Sequence, residues 1–515
     1  MSSGGKRSKK TIEFGDFQTP MGLARSVCQV LATRGLSPAS VVEPTCGVGN
    51  LLVAALEGFP TIGNALGVDI NPSYVRRAEA TIAEKQFAGK TRVLCGNSFE
   101  LDWPSLLREL PDPLLVIGNP PWVTNARLST LGSGNLPQKS NFYRRPGLDA
   151  ITGKANFDIS EWLLVRFLDW LNGRRTVLAM LCKAAVARKA LSHAWKREIA
   201  VKNSAMYMID AEKSFGACVE ACLLVCELSP CSGNQDARVF SSLRSKEEGA
   251  VLGYRDGRVI ADVRGYERCK HLRGSRSLRW RSGIKHDCSK VMELTREGGK
   301  YRNGLGELVD LEETHLYPML KGTEVAKGLV HAPKRWMLVT QQSIGQETRS
   351  IETTAPKTWR YLQSHADRLD RRGSSVYRTQ PRFSVFGVGD YTFAPWKVAT
   401  SGFCKELDFV ALGTFAGKPI VLDDTCYFVP CSTREDAEYL ASLLKSPTTR
   451  EFFASFIFWE AKRPITADIL SQLDLVALAA EVGAEVRCVE KLLRWSPDSH
   501  LGDCLKQQEL FAGHP

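Results

Sequence analysis

The chain has 515 residues, 43% of them hydrophobic, and this length predicts roughly two to four domains with apolar cores. Its 68 lysines and arginines against 56 aspartates and glutamates give a formal net charge of +12, which permits nucleic-acid binding. The chain has no apolar run of about 18 residues and no apolar stretch near its start, so we expect neither a membrane span nor a secretory signal.

Residues 1–13 are small, polar and basic, which predicts a disordered arm. The first half of the chain then alternates between apolar strands and helical segments. The predicted strands lie, in chain order, in ASVVEPTCGVGN, NALGVDINPS, TRVLCGNSF, PLLVIGNPPW, RTVLAMLC and EACLLVCEL. The predicted helices between them are LLVAALEGF, YVRRAEATIAEKQ and DISEWLLVRFLDWLNG. This alternation predicts a doubly wound, mostly parallel α/β sheet, whose ligand binds beyond the carboxyl ends of the strands.

The first predicted strand runs into a glycine-rich turn that lets the backbone approach a ligand closely. Its notable residues are Glu43, Pro44, Cys46, Gly47 and Gly49. The turn matches neither a complete phosphate-binding loop nor a complete dinucleotide fingerprint. Asp69 ends the next strand, where a carboxylate can hold the two hydroxyls of a ribose. Alone, this pattern fits a nucleoside cofactor or an ordinary turn into a helix.

The fourth predicted strand ends in a rigid corner, Asn119-Pro120-Pro121-Trp122. The prolines restrict the backbone, so the Asn119 amide oxygen and the Pro120 carbonyl are held side by side as two acceptors. Two adjacent acceptors suit an exocyclic NH2 group, and Trp122 offers a flat face on which the ring bearing that amine can stack. The simpler alternative is a proline-rich turn with a buried tryptophan.

The 15 cysteines include no Cys-x-x-Cys pair, and Cys218, Cys222 and Cys226 lie in or beside an apolar run. This pattern favours reduced, buried thiols in a cytoplasmic protein over disulfides or a zinc site. We therefore expect no metal.

In their order and spacing, these motifs resemble those of S-adenosylmethionine-dependent amino-methyltransferases of DNA with the gamma motif order, of the restriction-modification type. In that family the cofactor motifs precede the catalytic Asn-Pro-Pro-aromatic, and a target-recognition domain comes last. The resemblance implies a Rossmann-like methyltransferase sheet, S-adenosylmethionine as cofactor and the N6 amine of adenine as acceptor.

The resemblance also implies roles for individual residues. FGDFQTP, residues 14–20, is similar to the element over the methionine part of the cofactor and supplies Phe17, Thr19 and Pro20. The glycine turn is the cofactor loop, with Glu43 in its acidic place; Asp69 takes the ribose hydroxyls and Ile70 packs on the adenine. Asn97, Ser98 and Phe99 stand where the family usually has an aspartate followed by a hydrophobe. Phe215 would stack on the opposite face of the target base.

The chemistry of the corner follows from the residue types. An aromatic NH2 is a poor nucleophile, and hydrogen bonds to Asn119 and Pro120 would favour a pyramidal nitrogen with a usable lone pair. The base must leave the duplex, and stacking on aromatics contributes roughly 1–3 kcal/mol per base. A cytosine-C5 enzyme would need a Pro-Cys nucleophile downstream of its cofactor loop. The Pro-Cys pair Pro430-Cys431 lies far along the chain, and we interpret Cys431 as structural.

Basic residues supply the candidate DNA contacts. Residues 126–158 form a long loop predicted to order over target DNA, with Lys139, Arg144 and Arg145. We expect a catalytic domain at 14–230, a mixed α/β target-recognition domain at 231–474 and a helical tail at 475–515. The candidate phosphate contacts in the recognition domain are Arg279, Arg281, Lys462 and Arg463. A charged, solvated surface is the alternative there.

Three other functions remain open from the sequence: a cytosine-N4 DNA methyltransferase, an RNA adenine methyltransferase and a non-catalytic DNA-binding specificity subunit. The intact Asp69 and Asn119-Pro120-Pro121-Trp122 argue against the last. A protein-glutamine methyltransferase also needs an Asn-Pro-Pro-aromatic, but it has no use for a basic recognition lobe of this size. We expect double-stranded DNA as partner. Because the cofactor motifs begin at residue 14, we expect any cleavage activity to reside in a separate restriction endonuclease or defence subunit.

Overall fold

The computed structural model describes residues 18–123, 158–231 and 233–494. The chain divides into two compact units, Met1–Val263 and Arg264–Pro515. The predicted basic arm lies outside the described residues, as does the predicted loop up to residue 157. Within the described ranges, no helix is long and apolar enough to cross a membrane.

A ten-stranded sheet forms the centre of the first unit, in the order β3-β2-β1-β4-β5-β7-β6-β8-β9-β10. Its strands are β1 (Ser40–Glu43), β2 (Asn64–Asp69), β3 (Thr91–Cys95), β4 (Leu114–Gly118), β5 (Thr176–Lys183), β6 (Val201–Ile209), β7 (Ala221–Leu228), β8 (Asp236–Phe240), β9 (Val251–Arg255) and β10 (Arg258–Ile260). Strands β1 to β5 are parallel to one another. The predicted doubly wound, mostly parallel sheet is confirmed.

Helices cover both faces of this sheet. They are α1 (Met21–Thr33), α2 (Asn50–Gly58), α3 (Pro72–Glu84), α4 (Trp103–Arg108), α5 (Ile159–Leu171), α6 (Ala184–Lys196) and α7 (Ala211–Phe215). Leu115 and Ile117 of β4 pack with α1, α2 and α3, whereas Leu114 and Val116 pack with α4, α5 and α6. Successive side chains of a strand point to opposite faces, so a strand covered on both sides reads as an unbroken apolar run. This is why β4 was predictable from its sequence.

Two features of the sheet differ from the sequence prediction. Strand β6 has no counterpart among the predicted strands, because its polar residues 202–204 interrupt the apolar pattern. Strand β7 lies between β5 and β6 and is antiparallel to both. Cys222 and Cys226 of β7 are buried thiols, as predicted, but Cys218 is exposed because it precedes the strand.

The first unit extends beyond the expected boundary at residue 230. Strand β8 pairs in parallel with β6, and β9 and β10 continue the sheet from it. These strands are short and carry charged residues, so the apolar signal that marks the earlier strands fades before the sheet ends.

The second unit contains mixed α/β structure, in agreement with the prediction. A four-stranded sheet has the order β11 (Arg281–Ser282), β22 (Cys426–Cys431), β17 (Trp396–Ser401), β18 (Val410–Leu412). A six-stranded sheet has the order β14 (Leu308–Val309), β13 (Lys300–Asn303), β12 (Glu293–Glu297), β16 (Arg335–Leu338), β15 (Leu316–Leu320), β21 (Val421–Leu422). Strands β19 (Thr414–Phe415) and β20 (Lys418–Pro419) form a separate ribbon.

Short helices surround these sheets. They are α8 (Val263–Cys269), α9 (Ser289–Met292), α10 (Gly322–Ala326), α11 (Ile351–Thr354), α12 (Pro356–Ser364), α13 (Ala366–Asp370), α14 (Arg434–Leu444), α15 (Pro447–Ala454), α16 (Ala467–Leu470), α17 (Leu475–Glu481) and α18 (Val486–Arg494). The last two fall within the predicted helical tail, whose residues 495–515 lie outside the described part of the chain.

Lys397 of β17 is the most unusual charged residue in the core of the second unit. Its side chain is 1% exposed, and its Nζ donates to the carbonyl of Ala394 at 2.6 Å. Burial disfavours the ammonium form and lowers the pKa of Lys397 from 10.5 to about 7.

Replacing Lys397 with methionine is expected to raise the free energy of unfolding by about 1–4 kcal/mol at pH 7.5. Between pH 7 and 10.5 the unfolded chain binds the Lys397 proton and the folded chain does not, so wild-type stability rises with pH across this window. The advantage of Lys397→Met should therefore shrink toward pH 10. Urea unfolding at several pH values measures it, with the exposed Lys300→Met as control. If the free energies of unfolding of Lys397→Met and wild type changed equally with pH, the lowered pKa of Lys397 would be contradicted.

Candidate active site

A cleft lies at the carboxyl ends of β1, β2, β3 and β4, within the first unit. It encloses about 770 Å³ including its open mouth. It is lined by residues of the turn after each of these strands and of the segment before α1: Gln18, Thr19, Glu43, Pro44, Thr45, Cys46, Gly47, Asn50, Leu51, Asp69, Ile70, Asn71, Tyr74, Asn97, Ser98, Phe99, Asn119 and Pro121.

The glycine turn between β1 and α2 forms one wall. Gly47 has φ +51° and Gly49, the N-cap residue of α2, has φ +82°. Both values lie in the left-handed region that favours glycine. The backbone N–H of Cys46 donates to the carbonyl of Val68 at 2.8 Å, which fixes the start of the turn against β2.

Asp69 connects this turn to the end of β2. Its Oδ2 accepts from the backbone N–H of Gly47 at 2.8 Å, and its Oδ1 accepts from the N–H of Asn71 at 2.8 Å. Asp69 also lines the cleft, where a carboxylate, with about four acceptor positions, can accept hydrogen bonds from a ligand. Asp69 therefore both shapes the cleft and offers acceptors to it.

Glu43 stabilises the start of α2 from below the turn. It is 2% exposed, and its Oε2 accepts from the backbone N–H of Leu52 at 2.9 Å. This bond takes the place of a side-chain cap, which the N-cap residue Gly49 cannot supply. Burial, reinforced by the nearby charge of Asp69, raises the pKa of Glu43 well above its ordinary value.

The segment before α1 is fastened across the glycine turn by two side-chain bonds. Oε1 of Gln18 accepts from the N–H of Val48 at 3.1 Å, and Nδ2 of Asn50 donates to the carbonyl of Thr19 at 2.8 Å. A Cβ on Gly47 would lie 2.8 Å from Nε2 of Gln18, so the carboxamide occupies the space that a side chain would need.

Residues after β3 form the opposite wall. Oδ1 of Asn97 accepts from the N–H of Phe99 at 3.1 Å, and Nδ2 of Asn97 donates to Glu100 at 2.9 Å. The Ser98 side chain is 6% exposed, and its Oγ has no hydrogen-bond partner among the described residues. A buried hydroxyl in this state is suited to a polar ligand group.

The Asn119-Pro120-Pro121-Trp122 corner follows β4. Asn119 and Pro121 line the cleft, whereas Trp122 is 6% exposed and donates from Nε1 to the carbonyl of Leu181 at 3.3 Å. The rings of Trp122 and Phe215 meet edge to face, with centroids 5.1 Å apart and an interplanar angle of 72°. The structure therefore brings together the two predicted stacking residues, but with their rings in contact.

No family model matches the chain. The type II methyltransferase M.NspV of Nostoc sp. (strain ATCC 29411 / PCC 7524) is 44% identical over 475 residues, which cover 92% of this chain and 98% of that relative. The chain belongs to the type II methyltransferases. These are the methyltransferases of type II restriction-modification systems, and the predicted membership of the restriction-modification type is confirmed.

The structure of the type IIL restriction-modification enzyme MmeI in complex with DNA has a similar fold, with a TM-score of 0.53 and 13% identity. The match covers 98% of this chain and 75% of that chain. At this identity the likeness shows the fold, and it confirms the predicted methyltransferase fold class.

Most of the predicted cofactor residues of this type II methyltransferase line the single cleft described above. Pro20 and Gly49, and the predicted catalytic residues Pro120, Trp122 and Phe215, do not line it. Phe17, Lys139, Arg144 and Arg145 lie outside the described residues. Gln18 and Asn50, which fasten the turn, were not predicted as site residues, because a lone amide side chain carries no signal until its partner is known. Thr45, Leu51, Asn71 and Tyr74 were not predicted either, although these four are neighbours of predicted site residues.

The four predicted phosphate contacts of the second unit differ in their surroundings. Arg279 and Lys462 are exposed. Arg281 is 7% exposed and lies over the Tyr391 ring at 4.5 Å; burial, and then the charge of Arg279, lower the pKa of Arg281 to about 10. Arg463 packs against two aromatic rings and donates to a backbone carbonyl, with ring centroids at 4.9 Å (Tyr427) and 5.3 Å (Phe403). Arg281 and Arg463 thus take part in internal packing.

Cys431 is buried in β22, and burial raises its pKa to about 12. The thiolate is the nucleophilic form, so a thiol with this pKa is a poor nucleophile at neutral pH. Its environment agrees with the interpretation of Cys431 as structural.

Replacing Gly47 with alanine is expected to cost more stability than the left-handed backbone alone, because the new Cβ meets Gln18. Gly35 has φ +77° and open space around it, so Gly35→Ala measures the backbone cost, about 1–2 kcal/mol. The excess cost of Gly47→Ala should fall by about 0.5–3 kcal/mol in a Gln18→Ala background. Urea unfolding of the single and double variants completes the cycle. Additive costs would show that Gln18 does not occupy this position.

Proposed function

We propose that this protein transfers the methyl group of S-adenosylmethionine to the exocyclic N6 amine of an adenine in a specific sequence of duplex DNA. One observation carries the proposal: the glycine turn, Asp69, the Asn97–Phe99 segment and Asn119 meet in one cleft at the carboxyl ends of adjacent strands. Membership of the type II methyltransferases supports DNA as the substrate.

The residues of the cleft fit S-adenosylmethionine. Asp69 has acceptor capacity for the ribose hydroxyls, and Ile70 and Phe99 offer apolar surface for the adenine ring. The second lone pair of Asn97 Oδ1 and the unpartnered Ser98 Oγ suit the adenine amine. Thr45 Oγ1, in the glycine turn, likewise has no partner among the described residues. When bound, the cofactor supplies a methyl group already activated by its sulfonium.

The corner residues would activate the acceptor amine. The Asn119 amide oxygen and the Pro120 carbonyl accept hydrogen bonds from the NH2 group and favour a pyramidal nitrogen whose lone pair can attack. The nitrogen would form the new N–C bond while the bond between the methyl group and the sulfonium sulfur breaks and leaves its electron pair on sulfur, and the proton that the amine loses would pass to solvent. Positioning and exclusion of water therefore carry the catalysis, and no side-chain nucleophile is required.

Trp122 and Phe215 would hold the flipped base. A base stacked between two parallel rings needs those rings about 7–8 Å apart, two van der Waals contacts of 3.5–4.0 Å. The 5.1 Å centroid distance means that the rings must separate to admit the base. Stacking on aromatics, roughly 1–3 kcal/mol per base, would offset the loss of the Trp122–Phe215 contact and part of the cost of flipping.

We assign target recognition to the second unit. Its mixed α/β structure carries Arg279 and Lys462 on its surface, and MmeI, which shares the fold, has been solved in complex with DNA. Because the chain is a methyltransferase of a type II restriction-modification system, we further propose a separate restriction endonuclease with the same target site as its partner.

Mass spectrometry of nucleosides tests the acceptor. Duplex plasmid DNA is incubated with the protein and S-adenosylmethionine and then digested to nucleosides. We expect N6-methyl-deoxyadenosine among the products. N4-methylcytosine would overturn the adenine assignment, but it would agree with the proposal that Asn119 and Pro120 accept hydrogen bonds from the target amine. Methylation of RNA or protein with unmodified DNA would overturn the DNA substrate.

Replacing Asn119 with alanine is expected to lower kcat at least about 100-fold, because one acceptor for the target amine is lost. Its affinity for S-adenosylmethionine should stay within about twofold of wild type, since the proposal places Asn119 against the acceptor rather than the cofactor. Single-turnover methylation and calorimetry measure the two quantities. Near-wild-type turnover would contradict the proposed role of Asn119 as an acceptor for the target amine.

Replacing Asp69 is expected to weaken cofactor binding, unlike the replacement of Asn119. Asp69→Asn keeps an acceptor oxygen for the backbone but loses the charge, and it should weaken S-adenosylmethionine binding about 10-fold or more. Asp69→Ala should also lower the unfolding midpoint, because the N–H groups of Gly47 and Asn71 lose their acceptor. Calorimetry and thermal unfolding separate the two effects. Unchanged affinity in a folded Asp69→Asn variant would move the ribose site elsewhere.

A further inference from the structure

Residues 366–382 of the second unit are rich in arginine, with five arginines against two aspartates. They comprise α13, a turn and the segment that leads toward residue 383. The arginines are Arg368, Arg371, Arg372, Arg378 and Arg382. The structure separates them into two groups by what their guanidinium groups contact.

Arg372 and Arg382 hold the segment in place. Arg372 lies over the Tyr377 ring at 3.7 Å and donates to the carbonyls of Leu369 at 2.8 Å and Ser384 at 2.6 Å. Arg382 pairs with Asp370 through two bonds, at 3.2 and 2.7 Å. Tyr377 in turn donates to the carbonyl of Lys285 at 3.1 Å. These contacts fix the turn between α13 and residue 378 against the body of the unit.

Arg371 and Arg378 stand at the two ends of that turn. Both are exposed, and neither side chain has a hydrogen bond or ion pair within the described part of the chain. Arg368, three residues before Arg371, is exposed on the same side of α13. The nearby Asp370 is already paired with Arg382. Arg371 and Arg378 therefore form no ion pair within the described residues, and the acid closest to Arg371 on α13 besides Asp370 is Asp367, four residues before it.

Several surface arginines of the second unit are paired with acids, whereas others, such as Arg450 and Arg487, are exposed and form no ion pair within the described residues. Arg302 pairs with Glu297 at 2.6 Å, Arg335 with Glu324 at 2.6 Å, and Arg434 with Glu438 at 2.7 Å. The 371–378 turn differs from such single positions because Arg368, Arg371 and Arg378 are three exposed arginines within eleven residues. The combination of a fixed backbone and unpaired guanidinium groups is suited to binding an anion, because less loop ordering remains to be done on binding.

We propose that Arg371 and Arg378, with Arg368 beside them, form a surface that contacts the phosphate backbone of duplex DNA. The inference rests on the proposed function, which makes duplex DNA the substrate, and it adds a phosphate surface distinct from the sequence-predicted Arg281 and Arg463. Guanidinium groups bind phosphates in a bidentate, sequence-independent manner. The surface therefore positions the duplex and contributes to affinity for any sequence.

Binding of a fluorescein-labelled 30-base-pair duplex of arbitrary sequence, followed by anisotropy at about 50–200 mM salt, tests the surface. Arg371→Gln with Arg378→Gln should weaken binding and reduce the slope of log K against log salt by about 1.8, or about 0.9 per phosphate contact. The unfolding midpoint and the affinity for S-adenosylmethionine should not change. Arg372→Gln should instead lower the unfolding midpoint.

The control pair Lys300→Gln with Lys327→Gln removes the same charge from two exposed lysines of the same unit. It should leave the slope nearly unchanged. An equal reduction in both pairs would overturn the surface, because net charge alone would explain it. If wild type binds duplex but the arginine pair keeps the full slope, the surface is wrong and the proposed function stands. If wild type binds no duplex even at low salt, the proposed function falls and the surface with it.

Discussion

The bonds of Asp69 to two backbone N–H groups are the constraint on which the cleft depends. They join the turn after β1 to the end of β2, so that the glycine turn is held open beside the strand that supplies the carboxylate. The rest follows from this position. Glu43 caps α2 beneath the turn, and Gln18 fastens the preceding segment above it. A side chain at Gly47 would meet the Gln18 carboxamide.

The corner after β4 is held in place mainly by the contacts of Trp122. Trp122 is held by its bond to the Leu181 carbonyl and by its edge contact with Phe215, two residues that come from distant parts of the chain. In the proposed mechanism this contact closes the base site until a base parts the rings. The cleft is thus shaped by hydrogen bonds, whereas the proposed base site, at Trp122 and Phe215, is shaped by aromatic packing.

Much of the fold could be predicted because local patterns fix it. Strand β4 is an unbroken apolar run since helices cover both of its faces, and Gly47 and Gly49 follow β1 because the turn needs positive φ. Strand β6 and the strands at residues 236–260 could not be predicted in this way. Their polar and charged residues weaken the periodic signal. These strands are held in the sheet by backbone pairing with one another, which is not visible in the pattern of any one strand.

By itself, the sequence determined the order of the motifs, the doubly wound sheet and the set of residues at its strand ends, because each depends on near neighbours in the chain. Only the tertiary structure decided which arginines face solvent and which pack inside. Arg281 was predicted to contact DNA phosphate, yet it is buried and packs against the Tyr391 ring. Arg371 was not among the predicted contacts, and it is exposed. The physical reason is that burial of a charged side chain depends on the rings and carbonyls that distant segments bring to it.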